Sequence, residues 1–279
     1  MTRIQKAVFK TLAYADIFDY PLTQTEINQW LIWPHPSTPP SLNPVLKTFP
    51  RTNRYYHLKS RQSITKLRRQ RHRFSQLKWS LARQAAHWLK LIPTIKLIAV
   101  TGALTMNNSD KNDDIDLIII TKKNRLWLTR IFSVLLLELL RLRRRPQDKQ
   151  PADKICLNLF LDESALQLPP SHRNLYTAHE IAQLKPLYNK NNTYQKFLSQ
   201  NSWLKHYLPH AVKISSSKQV TPPSSPSSFL ETLAFKFQHD YMKPKITHEK
   251  VTPHTAFFHP RQTSQMVLKK YRQKLKSLL

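Results

Sequence analysis

Gly102 is the only glycine among 279 residues, where average usage would give about 20. That scarcity excludes a Walker-type phosphate loop and a Gly-x-Ser-x-Gly nucleophile elbow, since both need several glycines. Turns must instead rely on the 20 prolines and on Asn, Asp and Ser. Cysteine is equally scarce. Cys156 stands alone, so no intramolecular disulfide can form and no oxidising compartment is implied. Long apolar runs are missing too. The longest, 131–137, is broken at Ser133 and flanked by Arg130 and Glu138. It falls far short of the ~20 residues that span a bilayer and reads as a buried core helix. Asp16 and Asp19 interrupt the N-terminal stretch, which argues against a secretory signal. A cytoplasmic protein without a transmembrane segment is expected.

Acidic residues are the last scarcity. Sixteen Asp and Glu face 45 Lys and Arg, a formal net charge of +29. From Ile27 to Ser109 there is no carboxylate at all, while fourteen Lys or Arg occur. Solvated surfaces normally mix signs. An 83-residue acid-free stretch therefore leans toward a polyanionic partner: nucleic acid, nucleotide or an acidic membrane face.

The pattern along the chain predicts an α/β (α+β) protein. Ile4, Val8, Leu12 and Ala15 have helical spacing over 3–15. Thr23-x-x-Glu26 is a capping-box match that starts a second helix bearing Ile27, Trp30 and Leu31. A Pro-rich loop follows, then a short turn and strand over 51–59. Helices followed by a β wing outline a winged-helix-like module over 1–62. Residues 63–91 read as one long helix with Leu67, Phe74, Leu81 and Trp88 on its apolar face, and Ile64, Leu77 and Ala85 beside them. Its basic residues, among them Arg68, Arg69, Arg71 and Arg73, are candidates for nucleic-acid contact. Strands are predicted at 96–101, 115–120 and 154–161, with an apolar helix over 125–142. The 115–120 strand is apolar on both faces and so central in a small mixed sheet. The domain carrying this sheet spans 63–165. A helical extension over 166–213, broken at Pro186, a Ser/Pro-rich linker over 214–228 and a basic helical tail over 229–279 complete the chain.

Four of the sixteen acids, Asp110, Asp113, Asp114 and Asp116, fall within seven residues. Side chains at i and i+2 of a strand share a face, so Asp114 and Asp116 point the same way. Like charges that close raise each other's pKa unless a cation sits between them. Mg²⁺, with one or two carboxylates and substrate phosphates, suits such a pair. Gly102 lies twelve residues before Asp114, where a turn would let a phosphate approach the backbone. Asp and Asn are also ordinary turn formers, and NNSDKNDD alone reads equally as a solvated loop.

TGALTMNNSDKNDDIDLIII resembles the signature of the polymerase-β-type nucleotidyltransferase superfamily: an apolar strand, a glycine followed by Gly or Ser, a spacer, then Asp-h-Asp. Gly102 matches the glycine, and Asp114 and Asp116 match the metal-binding pair. The motif covers about twenty residues. The resemblance implies Mg²⁺, or Mn²⁺, on Asp114 and Asp116, and transfer of NMP from an NTP to a nucleic-acid or protein hydroxyl with pyrophosphate leaving. It places the nucleotide against Thr101, Gly102 and Ala103. Lys122, Lys123 and Arg125, just past the strand, are candidates to neutralise phosphates or are a solvated loop.

Two departures stand out. Ala103 replaces the Ser or Gly, leaving Thr101 or Thr105 to offer a hydroxyl. The third carboxylate that the superfamily carries on a later strand falls at neutral Asn158, with Asp162 at the strand's end as the substitute. A decayed site would leave a basic DNA- or RNA-binding protein as the alternative. His206-x-x-x-His210 has ligand-like spacing, but Pro209 lies between and no acid or cysteine is near. Cys156, in an apolar strand, reads as a packed core residue.

Overall fold

The computed structural model describes residues 1–33, 41–145, 148–214, 228–245, 250–258 and 262–276. In chain order the elements are α1 (Arg3–Asp16), α2 (Gln24–Trp30), α3 (Asn43–Leu46), β1 (Arg51–Thr52), β2 (Tyr55–Tyr56), α4 (Ile64–Leu89), β3 (Ile95–Val100), β4 (Ile115–Thr121), α5 (Leu126–Leu139), β5 (Ile155–Asp162), α6 (Leu175–Gln183), β6 (Lys185–Asn189), α7 (Thr193–Gln200), α8 (Phe229–Met242), β7 (Lys250–Thr252), β8 (Thr255–Phe257) and α9 (Gln262–Lys276). The expected linker over 214–228 lies almost wholly outside the described residues.

A six-stranded mixed sheet in the order β6-β3-β4-β5-β8-β7 organises the chain. β4 pairs antiparallel with β3 and parallel with β5, so it is central, as its two-faced apolar sequence requires. α5 makes the crossover between the parallel pair. The sheet separates two cores. Leu97, Ala99, Ile118, Ile120 and Leu161 face α1, α2, α6 and α9. Ile98, Val100, Leu117, Ile119 and Phe160 face α4, α5 and α8.

The capping box at α2 forms as the sequence predicts, with Thr23 and Glu26 exchanging side-chain-to-backbone bonds. α4 also forms where expected, with Ile64 and Ala85 buried as read but the buried face turned part of the way round. Ser75, Lys78, Ala82, Ala85 and Leu89 face inward, while Leu77 and Trp88 are exposed and Leu67, Phe74 and Leu81 half-buried. The helix is turned to let the Lys78 ammonium, 1% exposed, donate to the carbonyls of Lys111 and Asp113 and to Asp153.

Two expectations about the second half are corrected. The extension after 166 is not purely helical. Pro186 falls within β6, an edge strand, where a residue with no N–H to donate is tolerated. Nor is the segment after 229 a helical tail. β7 and β8 form a hairpin that adds to the sheet beyond β5, and α9 returns to α1, where Tyr271 meets Tyr14 edge-on and Lys274 pairs with Asp16.

Candidate functional site

β3 ends at Val100, opposite Leu117 of β4, so the turn after β3 lies against the start of β4. Thr101 N–H donates to the Asp116 carbonyl at 3.0 Å. Gly102 follows at φ +71°, left-handed backbone that favours glycine, and opens a single 3₁₀ segment, Gly102–Met106. A Cβ at Gly102 would stand 3.1 Å from Asp116 Oδ2. The glycine is therefore demanded twice, by its backbone conformation and by the carboxylate pressed against it.

Asp114 and Asp116 come together as the i, i+2 spacing predicts. One ligand atom from each, together with Cys156 Sγ, lies within 4.8 Å of the others. Cys156 is there because it pairs in register with Asp116 across the parallel strands. Burial and the neighbouring Asp116 push the Asp114 carboxyl above the usual carboxylate range, against the pull of Arg144. Arg144 Nη1 donates to Asp114 Oδ2 at 2.6 Å and approaches Cys156 Sγ at 3.7 Å. Burial also holds the Cys156 thiol protonated, well above its usual pKa. The two carboxylates are hard oxygen donors of the kind Mg²⁺ or Mn²⁺ takes, and the thiol beside them is a soft donor. Asp110 and Asp113 do turn work instead: Asp113 Oδ2 accepts from Asp110 N–H, and its carbonyl accepts from Lys78.

Other expected residues lie elsewhere. Asp162 pairs in register with Thr121, five residues along β4 from Asp116 and so about 16 Å away at about 3.3 Å per residue. It is fully buried and accepts from Asn124 N–H, Ser164 N–H and Oγ–H, with His254 Nδ1 at 2.8 Å. Asp162 is a loop staple and not a third carboxylate of the pair. Lys122, Lys123 and Arg125 sit at that same far end, beyond Thr121, because β4 runs away from the aspartates. Neither candidate hydroxyl faces a ligand alone: Thr105 Oγ1 donates to Gly102 O, and Thr101 Oγ1 donates to Glu180 Oε2 at 3.3 Å. His206 and His210 join no metal-type group among the described residues.

The basic helix is also redistributed. Arg68 forks onto both oxygens of Glu26 at 2.7 and 2.8 Å and lies over the rings of Tyr20 and Tyr55. Arg71 donates to Phe18 O and Asn108 Oδ1. Both tie α4 to neighbouring elements. Arg69 and Arg73 are exposed.

Two adjoining cavities open on this face of the sheet. One, of about 240 Å³, is lined by Gly102, Ala103, Asp116, Tyr14, Trp30 and His179, among others. The second, of about 310 Å³, reaches Thr101, His172 and Phe257. Asn158, Tyr176, Glu180 and Thr263 border both. Asn158, the neutral residue at the expected carboxylate position, therefore does face the site. Glu180 brings a carboxylate that sequence reading missed. It comes from α6, 64 residues after Asp116, and no local pattern links the two. Burial raises the Tyr176 phenol, and the charges of Glu180 and Asp116 add to it.

No protein-family model and no curated protein sequence matches the chain.

Proposed function

We propose that this protein is a nucleotidyltransferase that binds an NTP across the Gly102 turn and the Asp114–Asp116 pair and transfers NMP to an acceptor hydroxyl. The observation that carries the reading is the contact between Gly102 and Asp116 in the wall of a cavity, with Asp114 beside Asp116. Asp114 and Asp116 would hold Mg²⁺ or Mn²⁺, which supplies charge neutralisation for the triphosphate and the departing pyrophosphate. The absent side chain at Gly102 lets the Asp116 carboxylate lie against the turn, and Asp116 is fixed by the strand and by the Thr101 N–H on its carbonyl. Arg144, already seated on Asp114, is the nearest guanidinium and replaces Lys122, Lys123 and Arg125 as the candidate phosphate contact. Glu180, not Asp162, is the further carboxylate beside the site. The order α1, α2, α3 and the β1–β2 hairpin is compatible with a winged-helix-like module, and with the +29 charge it favours a nucleic-acid acceptor over a protein hydroxyl.

A second reading rests on Asn158 and on the Arg144–Asp114 ion pair: a decayed transferase that binds DNA or RNA without chemistry. One assay separates the two. The full chain is incubated with each α-labelled NTP, Mg²⁺ or Mn²⁺, and RNA, DNA or protein acceptors. Label transfer that disappears in Asp116→Asn supports the transferase. Absence of transfer, with nucleic-acid affinity that falls steeply with salt and ignores Mg²⁺ and NTP, supports the decayed form.

A further inference from the structure

His179 of α6 is 4% exposed and lines the 240 Å³ cavity with Gly102 and Asp116. Its ring stacks on Tyr14 with centroids 4.0 Å apart and planes within 10°, and Trp30 leans on it at 5.8 Å. Burial lowers its pKa to about 3, so the imidazole is neutral and carries one N–H. The side-chain amide nitrogen of Gln183, which can only donate, lies 3.4 Å from Nδ1. With the amide donating in this orientation, Nδ1 accepts and the ring proton is assigned to Nε2. That Nε2–H is buried and has no hydrogen-bond partner among the described residues. A buried donor left without an acceptor is costly, and such a group calls for a specific explanation.

The rest of the wall supplies one. Tyr14, Phe18, Tyr20, Trp30 and Tyr176 surround the same space. Flat aromatic faces receive planar ring systems well. A neutral imidazole among aromatics is a poor environment for a triphosphate and a good one for an uncharged heterocycle. The volume agrees: small-molecule clefts run about 300–1,000 Å³, so 240 Å³ suits a base and part of a sugar, not a whole nucleoside triphosphate.

We propose that this aromatic cavity seats the base of the nucleotide, and that His179 Nε2–H donates to a carbonyl oxygen or ring nitrogen of that base. The inference rests on the proposed reading for the phosphate end: the base enters between Tyr14 and Tyr176, and the phosphates leave over Gly102 toward Asp116. It makes His179 the residue that reads the ligand's acceptor edge, at a cost to the empty fold.

The test titrates the full chain with adenosine, guanosine, cytidine and uridine without divalent ions, and with the matching NTPs plus Mg²⁺. Ribose 5-phosphate is the base-free control. At least one nucleoside is expected to bind saturably while ribose 5-phosphate does not. His179→Phe keeps the ring stacked on Tyr14 and deletes the donor. It is expected to weaken that nucleoside by about tenfold and to melt at or above the wild-type temperature, a combination that a purely structural histidine would not give. Independently of any variant, the buried histidine N–H resonance of the ¹⁵N-histidine-labelled wild-type chain is expected to shift on adding the nucleoside. If no nucleoside binds the wild-type chain, or if the resonance stays in place and His179→Phe binds normally, the inference is overturned. The transferase reading fails separately. Nucleoside binding would then persist while Mg²⁺ and Asp116→Asn leave NTP affinity unchanged.

Discussion

Gly102 and Asp116 are in contact: the space that a side chain at 102 would need is held by a carboxylate oxygen 3.1 Å from the position of its Cβ. Gly102→Ala meets two penalties, left-handed backbone at φ +71° and a crowded Asp116. A loss of about 1–3 kcal/mol in folding stability is expected from such strain, measured by urea denaturation. Mg²⁺-dependent NTP affinity should fall further than stability does, because Asp116 must move to make room. A variant as stable and as tight as wild type would show that the contact constrains nothing.

Asp114 offers a pH test. Its folded-state pKa is raised above the ordinary carboxylate value, chiefly by burial and then by Asp116. The folded state therefore holds this proton more tightly than the unfolded chain, and the sign is opposite to that of a paired surface carboxylate. As pH rises from the ordinary value through the raised one, ionising Asp114 costs stability, and the cost persists at neutral pH. Asp114→Asn removes it. The variant is expected to melt at a higher temperature than wild type at pH 7 without divalent ions. Wild type is expected to gain a thermal shift from Mg²⁺ or Mn²⁺ that the variant lacks, a pair of outcomes that calorimetry with and without Mg²⁺ reads directly.

Asp162→Ala separates structural from catalytic acids. The substitution empties a buried carboxylate site and takes the acceptor from the part-buried Asn124 and Ser164 N–H groups. A destabilisation of about 2–4 kcal/mol is expected. Activity per folded molecule should be unchanged, because the residue sits at the far end of β5. A selective loss of turnover without loss of stability would contradict that placement.

The arginines of α4 should split into two groups. Arg68→Ala removes a half-buried fork on Glu26 and is expected to lower the melting temperature. Arg69→Ala and Arg73→Ala touch exposed side chains and should leave it in place. If nucleic acid lies along this helix, each of the latter lowers the salt slope of binding by about one. The check is a salt titration of affinity for a short duplex or single strand.

Local sequence made much of this architecture legible. Thr23 and Glu26 announced the start of α2, because a capping box is closed within four residues. The run Ile115–Ile120 announced a central strand, because both its faces must be buried. The Gly102 and Asp114–Asp116 juxtaposition was also readable, since a turn and a strand start twelve residues apart meet whenever β3 and β4 pair antiparallel. Pro186 misled, because its missing N–H forbids a helix interior yet is harmless on a sheet edge. The heptad of α4 misled in part. Ile64 and Ala85 are buried and Leu67, Phe74 and Leu81 half-buried, but Lys78 and the small residues Ser75 and Ala82 turn the helix so that Leu77 and Trp88 are exposed.

What the sequence determined alone is the set of local facts: helix starts, the buried strand, two carboxylates on one face, and a charge of +29. Tertiary structure decided which distant groups share their space. It removed Asp162, Lys122, Lys123 and Arg125 along the length of β4, and it brought Arg144, Glu180 and His179 to the aspartates from other elements. Strand alternation and capping act over a few residues and leave a pattern in the text. The direction of a parallel strand and the packing of α6 against α1 depend on how the whole chain buries its apolar surface, which no short window contains.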